Sequence, residues 1–193
     1  VPWPGYREHA LAWQREGHSV VSLSVDQIDA ALPDLDVLVC INPNNPTGHL
    51  YSLDTLLRWH QQLAGKGGWL VVDEAFLDAS EGESLASHCG KPGLIVLRSL
   101  GKFFGLAGLR AGVMVGPVAV CEALADLLGP WALSHPARWL MAQAVQDRDW
   151  QQQQRARLQQ ARLRLNGLLK KACLRPQGDS DLFALCLHDD AEA

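Results

Sequence analysis

The segment "LDVLVCINPNNPTG", residues 35–48, decides the fold of this chain. It joins a short apolar run to a loop that contains three asparagines, two prolines and a final glycine. A continuous apolar run of this length is typical of a strand covered on both faces, as in a parallel sheet. The loop that follows is stiffened by its prolines and is rich in amide side chains. The segment therefore predicts a buried strand whose carboxyl end carries a rigid, polar loop.

Strands alternate with helices on both sides of this segment. Further strands are predicted over residues 19–24, 69–76, 93–100, 111–116 and within 178–188. Helices are predicted before Gly17, after an N-cap at Ser52, after Pro117, and from about Pro136 to Ala172. Strand–helix alternation with short connections is the pattern of an α/β open sheet.

The composition argues against several classes of protein. The formal net charge is −4, so a basic nucleic-acid-binding face is not expected. The sequence has no run of roughly 20 apolar residues that could cross a membrane, and it has no signal-peptide pattern. Its five cysteines are dispersed without Cys-x-x-Cys spacing. That pattern predicts reduced thiols in a cytoplasmic protein, without a disulfide framework or a metal site.

Polar residues directly follow three of the predicted strands. They lie in the ranges 42–48, 73–76 and 99–102. In open α/β sheets, ligands bind beyond the carboxyl ends of the strands. These three groups of side chains are therefore expected to converge on one ligand.

Lys102 is the candidate nucleophile. It lies between an apolar strand and an aromatic pair, with no acidic residue near it in the sequence. Burial at this position would favour the neutral amine, because a buried ammonium group loses its hydration. A neutral lysine amine can condense with a carbonyl group.

Four other residues have side chains that would complete a site for such a carbonyl compound. Ser99 and Arg110 could bind a phosphate through a hydroxyl and a guanidinium group. Asp73, which is expected to be buried, would need a cationic partner, and a protonated pyridine nitrogen is one. Asn45 could donate a hydrogen bond to a phenolate oxygen.

Three motifs carry a family resemblance by their order and spacing: "NPNNPTG" at 42–48, "VVDEAF" at 71–76 and "SLGKFFGLAGLRAG" at 99–112. They resemble the signature of the class I/II aminotransferases, which are fold-type I enzymes dependent on pyridoxal 5′-phosphate (PLP). Within that group the chain resembles the histidinol-phosphate aminotransferase-like branch, and most of all its threonine-phosphate decarboxylase members of cobalamin biosynthesis. The resemblance covers about residues 1–190.

The resemblance implies a role for each candidate residue. Lys102 would be the catalytic residue, binding the PLP aldehyde covalently and later moving protons. Asp73 would pair with the pyridine nitrogen and keep it protonated, and Asn45 would bond the ring oxygen O3′. Ser99 and Arg110 would hold the phosphate.

The resemblance also implies an architecture. Residues 1–147 would form part of a PLP-binding large domain built on a mostly parallel open sheet. Residues 148–193 would supply a long connecting helix and the first strand of a smaller α+β domain. A glycine-rich phosphate cup and a ring-stacking aromatic residue would precede Val1, and the arginine for the substrate carboxylate would follow Ala193. The full-length protein would be a homodimer, and the chain without these flanks would be inactive.

Three functions remain open at the level of sequence. The first is PLP-dependent decarboxylation of L-threonine O-3-phosphate to aminopropanol phosphate. The second is a PLP-dependent aminotransferase of the histidinol-phosphate type, and the third is a non-catalytic domain that senses PLP. Phe76 replaces a tyrosine of many relatives, and "DEAF" also occurs in decarboxylase-like members, which favours the first. Glu74 is expected to point away from Asp73 by strand alternation and to have a structural role.

Overall fold

The computed structural model describes residues 1–80, 82–189 and 191. The α-helices within these residues are α1 (Arg7–Arg15), α2 (Ile28–Ala31), α3 (Leu53–Ala64), α4 (Val118–Leu128), α5 (His135–Gln146) and α6 (Arg148–Lys171). The strands are β1 (Val37–Ile41), β2 (Trp69–Asp73), β3 (Leu94–Ser99), β4 (Gly112–Val115), β5 (Pro176–Asp179) and β6 (Ala184–Cys186). Short 3₁₀ helices cover Val25–Gln27, Leu32–Asp34, Leu77–Ala79, Leu85–His88 and Ala107–Leu109.

The main sheet has the strand order β1-β2-β3-β4. Its first two pairings are parallel and the third, between β3 and β4, is antiparallel. Ile41 pairs with Asp73, and Asp73 pairs in turn with Leu97. The carboxyl ends of β1, β2 and β3 therefore meet at one edge. The predicted α/β class with a mostly parallel open sheet is confirmed.

Burial on both faces explains the apolar sequences of β1 and β2. Four of the five residues of β1 are buried, and α3 covers the sheet with Leu56, Trp59 and Leu63, whose helical spacing places them on one face. Each such side chain stabilises the fold by about 1.5–3 kcal/mol when it leaves water. Ser52 caps α3 as predicted, because its hydroxyl accepts a hydrogen bond from the Thr55 N–H at 3.2 Å.

Two strand predictions were wrong: one predicted strand does not form, and another is shorter than predicted. Residues 19–24 form no strand; only an isolated bridge joins Pro2 to Leu23. Val21 in this segment is 52% exposed, so the apolar run has no sheet face to cover. The strand predicted over 69–76 ends at Asp73, because the Asp73 carboxylate accepts the Ala75 N–H at 2.9 Å and turns the chain.

The predicted helix over 136–172 is two helices, α5 and α6, which meet at Asp147. Asp147 leaves helical geometry and caps α6 by accepting the Trp150 N–H at 3.0 Å. The single strand predicted within 178–188 is instead the antiparallel pair of β5 and β6. The division into domains at residue 147 remains a prediction.

The β5–β6 pair lies against the polar loop that follows β1. A Cβ atom added to Gly178 would overlap the carbonyl oxygen of Thr47, so glycine permits this close approach. Phe183, just before β6, packs edge-on against Phe76 with ring centroids 5.1 Å apart. Of the helices in the described part of the chain, none is long and apolar enough to span a bilayer.

Candidate active site

The residues selected from the sequence line two cavities at the carboxyl edge of the sheet. One cavity, of about 250 Å³, is lined by Asn45, Asp73, Phe76, Ser99 and Lys102 together with other residues. The second, of about 260 Å³, also has Ser99 and Lys102 in its wall and adds Arg110. The parallel strands thus bring together side chains that are far apart in sequence.

Asp73 ends β2 with its carboxylate held from two sides. One oxygen, Oδ1, accepts the Ala75 N–H at 2.9 Å, and the other, Oδ2, lies 2.8 Å from Nε2 of His9. The Asp73 side chain is 16% exposed and that of His9 is 18% exposed. The carboxylate therefore has a fixed orientation in the wall of the cavity.

Lys102 is exposed, in contrast to the burial expected from its sequence neighbours. It follows β3 in a turn, where the next residue, Phe103, takes the buried position at 1% exposure. The Lys102 ammonium group lies 5.4 Å from the centroid of the Phe76 ring, within the range of a cation–π contact. Lys102 can therefore extend into the cavity from its rim, and activation by deep burial was the wrong expectation.

Ser99 and Arg110 border the second cavity from the two ends of the segment that joins β3 to β4. The Ser99 hydroxyl oxygen accepts the Gly101 N–H at 3.1 Å. Arg110 has a φ of 50°, the left-handed conformation, which is uncommon for a residue with a side chain. Its N–H and its guanidinium group both donate to the carbonyl of Ala107, at 3.3 and 3.4 Å. Backbone strain of this kind concentrates at ligand-binding positions.

Glu74 points away from the cavity, as strand alternation predicts, and is fully buried. Its carboxylate accepts hydrogen bonds from the Ser84 hydroxyl at 2.6 Å, the Leu85 N–H at 2.8 Å and Arg98 at 3.1 Å. Desolvation raises the pKa of Glu74, and these partners oppose the shift. Arg98 also donates to Asp78 at 2.5 Å, so one cation serves two carboxylates behind the site.

Three residues in or beside the cavity were missed by reasoning from sequence: Tyr6, His9 and Arg98. Arg98 could have been found, because a charge inside the apolar strand β3 needs a partner, and Glu74 interrupts the preceding apolar run in the same way. No local pattern marks Tyr6 or His9. They reach the site only because α1 packs beside the end of β2.

Among residues 1–80, 82–189 and 191, no group of three or more histidine, cysteine, aspartate or glutamate side chains could hold a metal ion. The amine, carboxylate, amide, hydroxyl and guanidinium groups around the two cavities instead offer complementary partners to a compact anionic ligand.

The model of the aminotransferase class I and II family matches residues 1–191. The chain belongs to the class I and II aminotransferase family. One relative within this aminotransferase family is a threonine-phosphate decarboxylase from Pseudomonas aeruginosa, 48% identical over 180 residues. That match covers 93% of this chain and 54% of the relative. A histidinol-phosphate aminotransferase from Legionella pneumophila is 35% identical over 130 residues, which cover 66% of this chain and 35% of that protein.

Solved structures of this family share the fold. The histidinol-phosphate aminotransferase from Sinorhizobium meliloti, solved in complex with pyridoxal 5′-phosphate, superimposes with a TM-score of 0.82 at 21% identity. The match covers 94% of this chain and 53% of that structure. The chain thus spans about half the length of the threonine-phosphate decarboxylase from Pseudomonas aeruginosa and of this solved structure.

Proposed function

We propose that the protein containing this chain is a PLP-dependent decarboxylase that converts L-threonine O-3-phosphate to aminopropanol phosphate for cobalamin assembly. The observation that carries this proposal is the 48% identity to a threonine-phosphate decarboxylase over 93% of the chain. The similarity to the histidinol-phosphate aminotransferase from Legionella pneumophila is lower, at 35% identity over 66% of the chain. Transamination is therefore the second candidate.

The side chains around the cavities fit PLP as the cofactor. A cationic pyridine nitrogen requires a carboxylate, which Asp73 presents in one cavity. A phosphate requires donors, which Ser99 and Arg110 present around the other. Lys102 borders both cavities and offers an amine between these two ends. Asn45 completes the set with an amide donor for a ring oxygen.

Each residue has a distinct task in the proposed reaction. When bound, PLP supplies a sink for the electron pair that remains after a bond to the substrate Cα breaks. Asp73 would present its carboxylate to the pyridine nitrogen and stabilise positive charge there. Lys102 anchors the cofactor through Nζ and carries protons to and from the substrate Cα. Ser99 and Arg110 fix the phosphate, so that the amine of Lys102 faces the reacting carbon.

Decarboxylation and transamination use the same set of residues. They differ in which substituent of Cα stands perpendicular to the ring: the carboxylate in a decarboxylase, the hydrogen in a transaminase. Phe76 supports the first reading, because it removes a hydroxyl donor that many relatives place near O3′. Packed against Phe183 and under Lys102, it gives this wall an apolar surface.

A single-turnover experiment without a keto acid tests the proposal. The full-length protein is loaded with PLP and mixed with L-threonine O-3-phosphate, while carbon dioxide and the cofactor spectrum are recorded. The decarboxylase reading expects release of carbon dioxide with the cofactor recovered as the aldehyde. Accumulation of pyridoxamine phosphate without gas would establish the aminotransferase reading. Binding of PLP without either product would leave the non-catalytic, PLP-sensing reading.

A further inference from the structure

We infer that Arg155 of α6 is a positioning residue for Lys102 and acts through Phe103. The inference rests on the proposed function, because that function makes Lys102 the amine that anchors PLP. Phe103 follows Lys102 directly in the chain, and it is buried at 1% exposure whereas Lys102 is exposed. The buried Phe103 ring is therefore the fixed point beside the exposed amine, and whatever holds this ring also limits where Lys102 can lie.

Two side chains of α6 contact the Phe103 ring. The Trp150 ring meets Phe103 edge-on with ring centroids 5.5 Å apart, and it stacks on Phe104 at 5.9 Å. The guanidinium carbon of Arg155 lies 5.2 Å from the centroid of the Phe103 ring, within the range of a cation–π contact. The turn that carries Lys102 is therefore attached to α6 at the residue beside Lys102.

Arg155 also contacts the turn that follows β2. Its Nε donates a hydrogen bond to the carbonyl oxygen of Asp78 at 2.8 Å, and Asp78 lies in the 3₁₀ helix Leu77–Ala79. One side chain thus joins the turn after β2, which follows Asp73, to the turn after β3, which carries Lys102. Asp73 and Lys102 line the same cavity. An amine that is already held in place loses little conformational freedom when it bonds to a ligand there, which favours the bond.

A purely structural role for Arg155 makes a different prediction. If Arg155 only attached α6 to the sheet, its loss would weaken binding of every ligand of the two cavities to the same extent. If Arg155 positions Lys102, its loss weakens a ligand that bonds to Nζ more than one that cannot. PLP forms a C=N bond to Nζ, and its aldehyde oxygen leaves as water with two protons of the neutral amine. Pyridoxine 5′-phosphate has the same ring and phosphate but a hydroxymethyl group in place of the aldehyde, so it forms no such bond.

The experiment measures dissociation constants of PLP and of pyridoxine 5′-phosphate for the full-length protein and its variants. Arg155→Ala is expected to weaken binding of PLP about tenfold, the size of a lost hydrogen bond from a charged donor, and that of pyridoxine 5′-phosphate less than about twofold. Trp150→Leu removes the edge-on contact with Phe103 and is expected to act in the same direction. Trp150→Phe keeps an aromatic ring there and is expected to retain most of the preference for PLP. The matched control is Arg157→Ala, at an exposed position of the same helix.

The outcomes separate the inference from the proposed function. A wild-type protein that prefers PLP to pyridoxine 5′-phosphate, a preference lost in Lys102→Ala, supports the assigned role of Lys102. If Arg155→Ala then keeps the full preference, or loses affinity for both ligands equally, the inference about Arg155 is overturned alone. A wild-type protein that binds neither ligand overturns the proposed function and the inference with it. Far-ultraviolet circular dichroism establishes that each variant is folded, and Arg155→Gln, a milder change, provides the same test if Arg155→Ala is not.

Discussion

At the scale of single residues, the site depends on where each polar group stands at the end of a strand. Lys102 is exposed beside the cavity, whereas another lysine, Lys66, is occupied by hydrogen bonds to the carbonyls of Leu32 and Pro33 at 2.8 and 2.6 Å. An amine that caps backbone carbonyls is a poor nucleophile. The difference between the two lysines makes the attachment point of the cofactor predictable.

We expect Lys102 to be the attachment point of PLP. Borohydride reduction of the PLP-loaded, full-length protein, followed by peptide mapping, should place the label on the peptide that contains Lys102. Lys102→Ala should abolish the label while the protein remains folded. A label on Lys66, Lys91, Lys170 or Lys171 would contradict the assignment.

Arg110 is expected to recognise the phosphate rather than the ring. Arg110→Gln should weaken PLP by roughly tenfold to a hundredfold, the size of a lost charge-assisted hydrogen bond. Binding of pyridoxal, which lacks the phosphate, should change less than about twofold. Equilibrium titrations with both ligands measure the difference, and Arg15→Gln, at an exposed position in α1, is the matched control. An equal loss for both ligands would remove the phosphate role.

At the scale of elements, β2 and β3 are joined behind the site by Arg98. The guanidinium group joins the buried Glu74 to Asp78 in the 3₁₀ helix after β2. The carbonyl of Asp78 also accepts a hydrogen bond from Arg155 of α6 at 2.8 Å. These contacts fix the end of β2, and hence Asp73, relative to β3 and Lys102.

Removing Arg98 is expected to destabilise the protein strongly. Arg98→Met leaves a buried carboxylate without its cation, which costs about 3–5 kcal/mol in the free energy of unfolding. Arg58→Met is the control, because Arg58 and Asp29 form an exposed pair worth less than about 1 kcal/mol. Urea unfolding of the full-length protein and its two variants measures both changes in the free energy of unfolding. Equal losses of unfolding free energy in the two variants would contradict a larger contribution from the buried pair.

The cost of Arg98→Met should also depend on pH. Burial already raises the pKa of Glu74, and loss of Arg98 raises it further. A carboxyl group whose pKa is higher in the folded state binds a proton there first, so its penalty disappears as the pH falls toward the ordinary glutamate range. The gap in unfolding free energy between wild type and variant should therefore narrow from pH 8 to pH 5. A gap that widens on acidification would contradict the assignment to Glu74.

At the scale of the whole molecule, the site is expected to be completed by a second subunit. The family resemblance places PLP sites at a subunit interface, so we expect the full-length protein to be a homodimer. Sedimentation velocity of the PLP-loaded protein at assay concentration, with activity measured on the same sample, tests this. A monomer with full activity would contradict it. A predominantly dimeric species across dilution to the assay range is the expected result.

The sequence by itself determined the sheet and selected five of the residues that line the two cavities. Apolar runs located β1 to β4, and the signal is continuous in β1 and β2 because these strands are covered on both faces. The polar tips of those strands selected Asn45, Asp73, Ser99 and Lys102, since parallel strands end at the same edge. Arg110 was selected as a phosphate-binding candidate because it lies in the same motif as Lys102. These inferences depend on local patterns, which a single sequence displays.

Only the tertiary structure decided the surroundings of those residues. The contact of His9 with Asp73 joins positions 64 residues apart, and no periodicity reports on it. The exposure of Lys102 depends on Phe103 taking the buried place. The segment 19–24 contains three apolar residues but forms only an isolated bridge, because strand pairing depends on a neighbouring strand that the local sequence does not specify. Composition sets which segments avoid water, whereas packing between distant segments decides which partner each one meets.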